Sequence, residues 1–260
     1  MTPTTRTHLS RLTLRRQAGS VAPLLKDLMP PEKGAAMDIH HRLLWTVFSG
    51  THKQPGDEAA FLWRYMDGDD KFFVLGPEPQ SGSPFFDIET KPFSISFHRG
   101  QRLAFELRVN ATVDRMIDPS KGRAGRKRCD VVQDAMNKVR KEQVVNDREQ
   151  RDEIARMALT GWLSQQGDKS GFHLRSLSVK TYRAIALPGQ HRAPGPQADV
   201  ADLRPATKLR KRAPGPQMGV ADLLGVLEVS DPSAFMDKVH KGFGRSKAYG
   251  CGLMLLRPVA

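Results

Sequence analysis

Gly242-Phe243-Gly244-Arg245-Ser246-Lys247-Ala248-Tyr249-Gly250-Cys251-Gly252 is the stretch that decides how this chain folds. Glycines stand at offsets of two, eight and ten from the first, Arg245 and Lys247 sit between them, and an apolar strand, Leu253 to Leu256, follows. Glycine has no Cβ, so it takes positive φ and lets another backbone come close. A helix-capping glycine, a turn and a terminal strand would satisfy the pattern. So would a loop that aims amides and two cations at a phosphate chain. Upstream, Ser230 is the expected N-cap, Asp231 and Pro232 open a helix, and Phe235 and Val239 mark its buried stripe. Strand, helix, glycine loop, strand is the closing half of a βαββαβ unit.

The rest of that unit lies before it. Leu103, Phe105, Leu107 and Val109 alternate with polar residues and predict a strand. Val131 to Gln166 is helical overall but not one unbroken helix, with its clearest part from Arg151 to Leu163. Phe172 to Leu187 and Asp222 to Val229 are the middle strands. Between them Arg192 to Leu203 recurs as Arg212 to Leu223, an offset of 20 residues. Two Pro/Gly-rich copies cannot build a solenoid, so an insertion at 188–217 is expected as a long connection.

A first unit precedes this one. His8 to Arg15 reads as a strand and Ala36 to Phe48 as a helix, with Ile39/Leu43/Val47 and Leu44/Phe48 spaced at i,i+4. Phe61 to Met66 and Lys71 to Leu75 flank Asp67-Gly68-Asp69-Asp70, a hairpin. Phe93 to Phe97 alternates and is the expected closing strand. The fold class is therefore α+β: two tandem ferredoxin-like (RRM-like) βαββαβ domains, at 1–98 and 99–260, the first with a reduced second helix.

Charge separates the two units. Residues 1–98 carry 11 Lys/Arg against 11 Asp/Glu, whereas 99–260 carry 30 against 17, the whole of the net +13. A surplus confined to one part of a globular chain points to a polyanion-binding face, the alternative being a highly solvated surface. The densest run is Lys121-Gly122-Arg123-Ala124-Gly125-Arg126-Lys127-Arg128, with five cations and no acid. Cys129 and Cys251 are too few for a disulfide framework, and neither has a metal-ligand companion nearby. No apolar stretch approaches the ~20 residues that cross a bilayer. A cytoplasmic protein with no membrane partner, no metal and no cofactor is expected. Walker, Rossmann and nucleophile-elbow motifs do not occur.

Four segments resemble one family. Leu9-Ser10-Arg11 begins the first strand, and His41, Leu44 and Phe48 form H-x-x-L-x-x-x-F on the first helix. Leu107-Arg108-Val109-Asn110 precedes Lys127-Arg128-Cys129, and the glycine-rich ending Gly242 to Leu256 is the most specific of the four. Together they resemble CasE, the precursor-crRNA-processing endoribonuclease family of type I-E CRISPR systems. The resemblance implies a protein that binds a CRISPR repeat RNA hairpin, cuts at its 3′ base, and keeps the product within Cascade beside other subunits. It would be a monomer when free.

Metal-free RNA cleavage needs a group to deprotonate the 2′-hydroxyl, an acid for the departing 5′-oxygen, and cations around the phosphorane. Histidine suits either proton role. His40 falls in the middle of the helix's apolar arc and reads as a core histidine. His41 falls at the arc's edge, is the histidine in family register, and is the catalytic candidate. Relatives often carry Tyr three residues before that histidine. Here Asp38 stands there, either to orient His41 from one turn away or as a helix N-terminal residue. Lys247 matches the family's glycine-loop lysine and is the candidate electrostatic stabiliser. RNA-binding candidates are Arg108, Arg126, Lys127, Arg128, Gly242, Gly244, Arg245, Gly250 and Gly252. Shape and phosphate contacts should dominate, because A-form RNA hides its base edges in the major groove. A non-catalytic RNA-binding subunit of the same fold is the alternative that Asp38 leaves open. A ribonucleoprotein scaffold without hairpin preference is a weaker one.

Overall fold

The computed structural model describes residues 7–15, 33–48, 59–66, 68–142, 147–187 and 217–259. The insertion expected at 188–217 falls outside these residues as far as position 216, and so does the first copy of the repeat.

Strands β1 (His8–Leu14), β2 (Leu62–Met66), β3 (Lys71–Gly76) and β4 (Phe86–Pro92) form one sheet in the order β2-β3-β1-β4, every pair antiparallel. Helix α1 (Lys33–Trp45) covers one face. Period-two alternation turns Leu12, Leu14, Trp63, Phe72, Val74 and Phe86 toward it, where they meet Leu43, Leu44, Val47 and Phe48. The connection between β3 and β4 holds no helix. The closing strand is Phe86–Pro92 rather than the expected Phe93 to Phe97. Arg11 donates to Glu89 and Arg15 to Asp87 across the β1/β4 pair, which fixes this register. Phe93 and Phe97 are instead drawn to the second core: Phe97 lies 4.9 Å from Phe235 and Phe93 lies 5.6 Å from His240, ring centre to ring centre.

The second sheet is built from β5 (Arg102–Val109), β8 (Phe172–Ala186), β9 (Gln217–Val229) and β10 (Met254–Pro258), in the order β10-β5-β9-β8. The same first, second, third and fourth strand positions of a βαββαβ unit recur in the same spatial order as in the first sheet. Between β5 and β8 the chain forms a two-stranded ribbon, β6 (Thr112–Met116) with β7 (Arg126–Asp130), and two helices, α2 (Val131–Glu142) and α3 (Arg148–Lys169). Asp147 caps α3 by accepting from the Glu149 amide. Ala155, Leu159, Trp162 and Leu163 form the buried stripe of α3. Helix α4 (Pro232–Lys241) is capped by Asp231, which accepts from the amides of Ser233 and Ala234. Ser230 was the expected cap, but its amide closes onto the Gly171 carbonyl at 2.9 Å and it still belongs to the strand end. β9 also begins earlier than expected, so the second copy of the repeat ends inside a strand.

Leu62 and Leu75 of the first sheet join the second unit's core with Leu253 and Met254. The two units therefore share apolar contacts rather than hanging on a linker.

Candidate functional site

Helix α1 presents the two adjacent histidines in different settings. His40 is buried, 4.4 Å from the Tyr65 ring and 5.1 Å from Phe72. His41 is half-buried, and its ring stacks on Trp63 with centres 6.3 Å apart and planes 9° from parallel. Phe61 closes a second side at 5.9 Å. One turn further along α1, the Trp45 indole N–H donates to His41 Nε2 at 3.1 Å. Asp38 does not serve His41 in this arrangement. Its carboxylate pairs with Arg42 at 2.8 Å, the next position on its own helix face.

The glycine loop lies against the same aromatic wall. A Cβ on Gly250 would sit 3.0 Å from the Trp63 ring, and α1 and β2 both pack beside the short turn Lys247–Tyr249. Gly250 and Gly252 have φ of 72° and 99°, which only glycine adopts without strain. The amides of Gly242, Gly250 and Gly252 donate to the carbonyls of Lys238, Lys247 and Arg108. Those three N–H groups are therefore spent inside the fold. These glycines shape the loop. Gly244 leaves room for Asn110, whose carbonyl would lie 2.6 Å from a Cβ there. Lys247 Nζ donates to the Gly244 carbonyl at 3.1 Å, which uses one of its three protons. Arg245 is exposed while its amide bonds to the Asn110 carbonyl.

The Leu107-Arg108-Val109-Asn110 segment acts as the loop's mount. Asn110 Nδ2 donates to the Gly219 carbonyl of β9 at 2.8 Å, and its Oδ1 accepts from Ser246 at 3.1 Å. Arg108 was expected on RNA, and the structure turns it inward. Its side chain is 6% exposed, with Nε and Nη2 donating to the two oxygens of Asp222 at 2.7 and 3.1 Å. Alternation explains this, since Arg108 faces Asp222 directly across the β5/β9 pair.

Sequence reasoning missed the third member of that cluster. Arg64 leaves β2 with its side chain 5% exposed and reaches Glu106 at 3.0 Å and Asp222 at 3.8 Å. Burial lowers the Arg64 guanidinium from its usual range, against the pull of Glu106 and Asp222. Burial also pushes the Asp222 carboxyl up, but hydrogen bonds and charge from Arg108, helped by Arg64 and Thr181, outweigh it and hold the group below the ordinary carboxylate range. An Arg among apolar strand residues was the visible signal. Its partners lay far along the chain.

The cationic run lies on the β6/β7 ribbon. Arg126, Lys127 and Arg128 are all exposed, and Arg128 also pairs with Asp114 at 3.2 Å. A lone two-stranded ribbon is marginal in water. Here Asp130 anchors it, accepting from the amides of Val132 and Gln133 at 3.0 Å and from the Tyr182 hydroxyl at 2.8 Å. Burial, then the Asp130 charge, raises the Tyr182 phenol, so it stays a donor. The structure thus brings His41 and Lys247 onto contacting elements, ties the start of the ribbon strand to the Arg245 backbone through Asn110, and keeps Arg108 apart as internal support.

Comparison with known proteins places this arrangement. The family described as CRISPR associated protein matches residues 7–258, and the chain belongs to that family. No curated protein sequence matches it. Among solved structures it is similar to the CRISPR endoribonuclease Cse3 bound to a 19 nt RNA, with 21% identity, a TM-score of 0.59, and 97% of this chain and 100% of that one covered. It is similar to Thermus thermophilus Cse3 bound to an RNA representing a pre-cleavage complex, at 20% identity and a TM-score of 0.57 over the same shares. Cas6e from Escherichia coli K-12 gives 19% identity and a TM-score of 0.52, again over 97% and 100%. These likenesses establish a shared fold. No described helix is long and apolar enough to cross a membrane.

Proposed function

We propose that this protein is a metal-independent endoribonuclease that binds a CRISPR repeat hairpin and cuts the precursor RNA at the hairpin's 3′ base. The observation that carries the reading is the half-buried His41, held between aromatic rings beside a loop bearing Lys247 and Arg245, in a member of this family. The similar Cse3 structures, described as endoribonuclease bound to RNA, support it.

The 2′-oxygen attacks the adjacent phosphorus as its proton passes to His41. The bond to the 5′-oxygen breaks, leaving a 2′,3′-cyclic phosphate, or the 3′-phosphate formed from it by addition of water, and a 5′-oxygen that takes a proton from solvent to become the 5′-hydroxyl. Lys247 opposes the negative charge of the phosphorane from the glycine loop. Arg126, Lys127 and Arg128 hold the stem's phosphates, and Arg245 holds those near the cut. The hairpin product stays bound, with other Cascade subunits as partners.

Asp38, paired with Arg42 where relatives carry Tyr, favours one rival: an RNA-binding subunit that does not cut. A labelled repeat hairpin incubated with the protein in EDTA decides between them. Cleavage by wild type and its loss in His41→Ala is the expected result. A gel shift without cleavage establishes the rival, and cleavage only on adding a divalent metal overturns the mechanism.

A further inference from the structure

The indole N–H of Trp45 makes a hydrogen bond to the candidate catalytic ring. Trp45 lies four residues after His41, so the two side chains share one face of α1. The indole Nε1 stands 3.1 Å from His41 Nε2, with ring centres 6.0 Å apart and planes at 71°. An indole N–H only donates, so Nε2 must carry its lone pair, and the ring proton of the neutral imidazole then sits on Nδ1. Trp45 is itself held, packing against Phe61 at 5.1 Å. Trp63 supports the imidazole from its face.

We propose that Trp45 is the positioning residue for His41, fixing the tautomer and ring angle that leave Nε2 as the proton acceptor. The indole N–H stands where a substrate hydroxyl donates, and the hydroxyl replaces it when RNA binds. This rests on the reading of His41 as the proton-transfer group. Among the described residues, the charged groups near this face are engaged: on α1 Asp38 pairs with Arg42, and on the adjoining turn Lys247 donates to Gly244. Tyr249 is the remaining titratable group of that turn, while β2 contributes Trp63 and, just before it, Phe61.

The test begins with the full-length wild-type protein labelled with ¹⁵N-histidine. Nitrogen–proton correlation spectra above the ring's titration should show His41 as the Nδ1–H tautomer. The His41→Gln spectrum assigns the signal. Trp45→Phe keeps a ring in place but removes the donor. It should return His41 toward the Nε2–H form, slow single-turnover cleavage at saturating protein about 3- to 10-fold, as loss of one oriented hydrogen bond implies, and move the acid limb of the pH–rate profile, while leaving hairpin affinity unchanged. An Nε2–H tautomer in wild type overturns the proposal without any variant having to fold. So does an Nδ1–H tautomer that persists in Trp45→Phe, or a tautomer change with an unaltered rate and profile. If His41→Ala cleaves normally, the functional reading fails, whereas the spectra still decide the tautomer.

Discussion

The two sheets share one strand order and differ sharply in charge and in what is added to them. The first, electrically neutral overall, encloses a compact aromatic core and displays one half-buried histidine at its edge. The second carries the entire charge surplus and adds to the same plan a cationic ribbon and a glycine loop. Their difference teaches that a βαββαβ sheet does not determine its role. The proposed function assigns proton chemistry to one copy and phosphate affinity to the other, and the two copies meet where β2 lies against the glycine loop. That division can be broken at four places.

The largest effect belongs to the ion cluster at the join. Asp222→Asn removes the charge that faces Arg64, Arg108 and Arg183. Leaving buried guanidinium groups uncompensated should cost about 3–5 kcal/mol in urea unfolding. The same carboxylate sets a pH dependence. Its folded value lies below the unfolded one, so its stabilisation is complete above about pH 4 and is lost as pH falls through the depressed folded value. An acid-unfolding midpoint that Asp222→Asn leaves unmoved would remove Asp222 from this role.

Next is His41→Ala, expected to slow cleavage about 10²- to 10⁴-fold while hairpin affinity holds. Equal losses in both would mean the two copies are not functionally divided. Gly250→Ala should cost about 1–3 kcal/mol, because its φ of 72° and the Trp63 ring at 3.0 Å both oppose a methyl group. Thermal melting measures this, and a neutral result would show that the loop shifts freely on β2. The smallest effect on stability belongs to Arg126→Ala with Lys127→Ala. The fold should not respond, while the slope of log affinity against log salt falls by about 2. An unchanged slope would take the ribbon off the RNA.

What was legible in the sequence was periodic. Leu12, Leu14, Phe72 and Val74 alternate and Leu43, Leu44 and Val47 recur at helical spacing, which revealed the first unit and the two histidines' different faces, as Leu103, Phe105, Leu107 and Val109 revealed the second. What was not legible depended on partners. Arg108 resembles an RNA contact until Asp222, 114 residues away, is set opposite it. Arg64 looked like one polar position in an alternating strand. Phe86 to Pro92 was not legible as the closing strand because only pairing with Arg11 and Arg15 reveals why acids belong there. The Trp45 contact was readable in principle from i,i+4 spacing, yet spacing does not say which ring atom meets which.

The mount at Asn110 also limits how this protein can change. The loop's interior is tied at Arg245 and Ser246 to Asn110, and its ends are tied together by the Phe243 amide on the Gly252 carbonyl. Gly252 in turn donates to Arg108. A loop stitched at both ends and in the middle has a fixed length. Side chains at the exposed Arg245 and Ala248 are open to substitution, but an inserted or deleted residue breaks a stitch wherever it falls. Variation here is therefore a matter of replacement and not of length, with side chains exchanged on a frame of constant size.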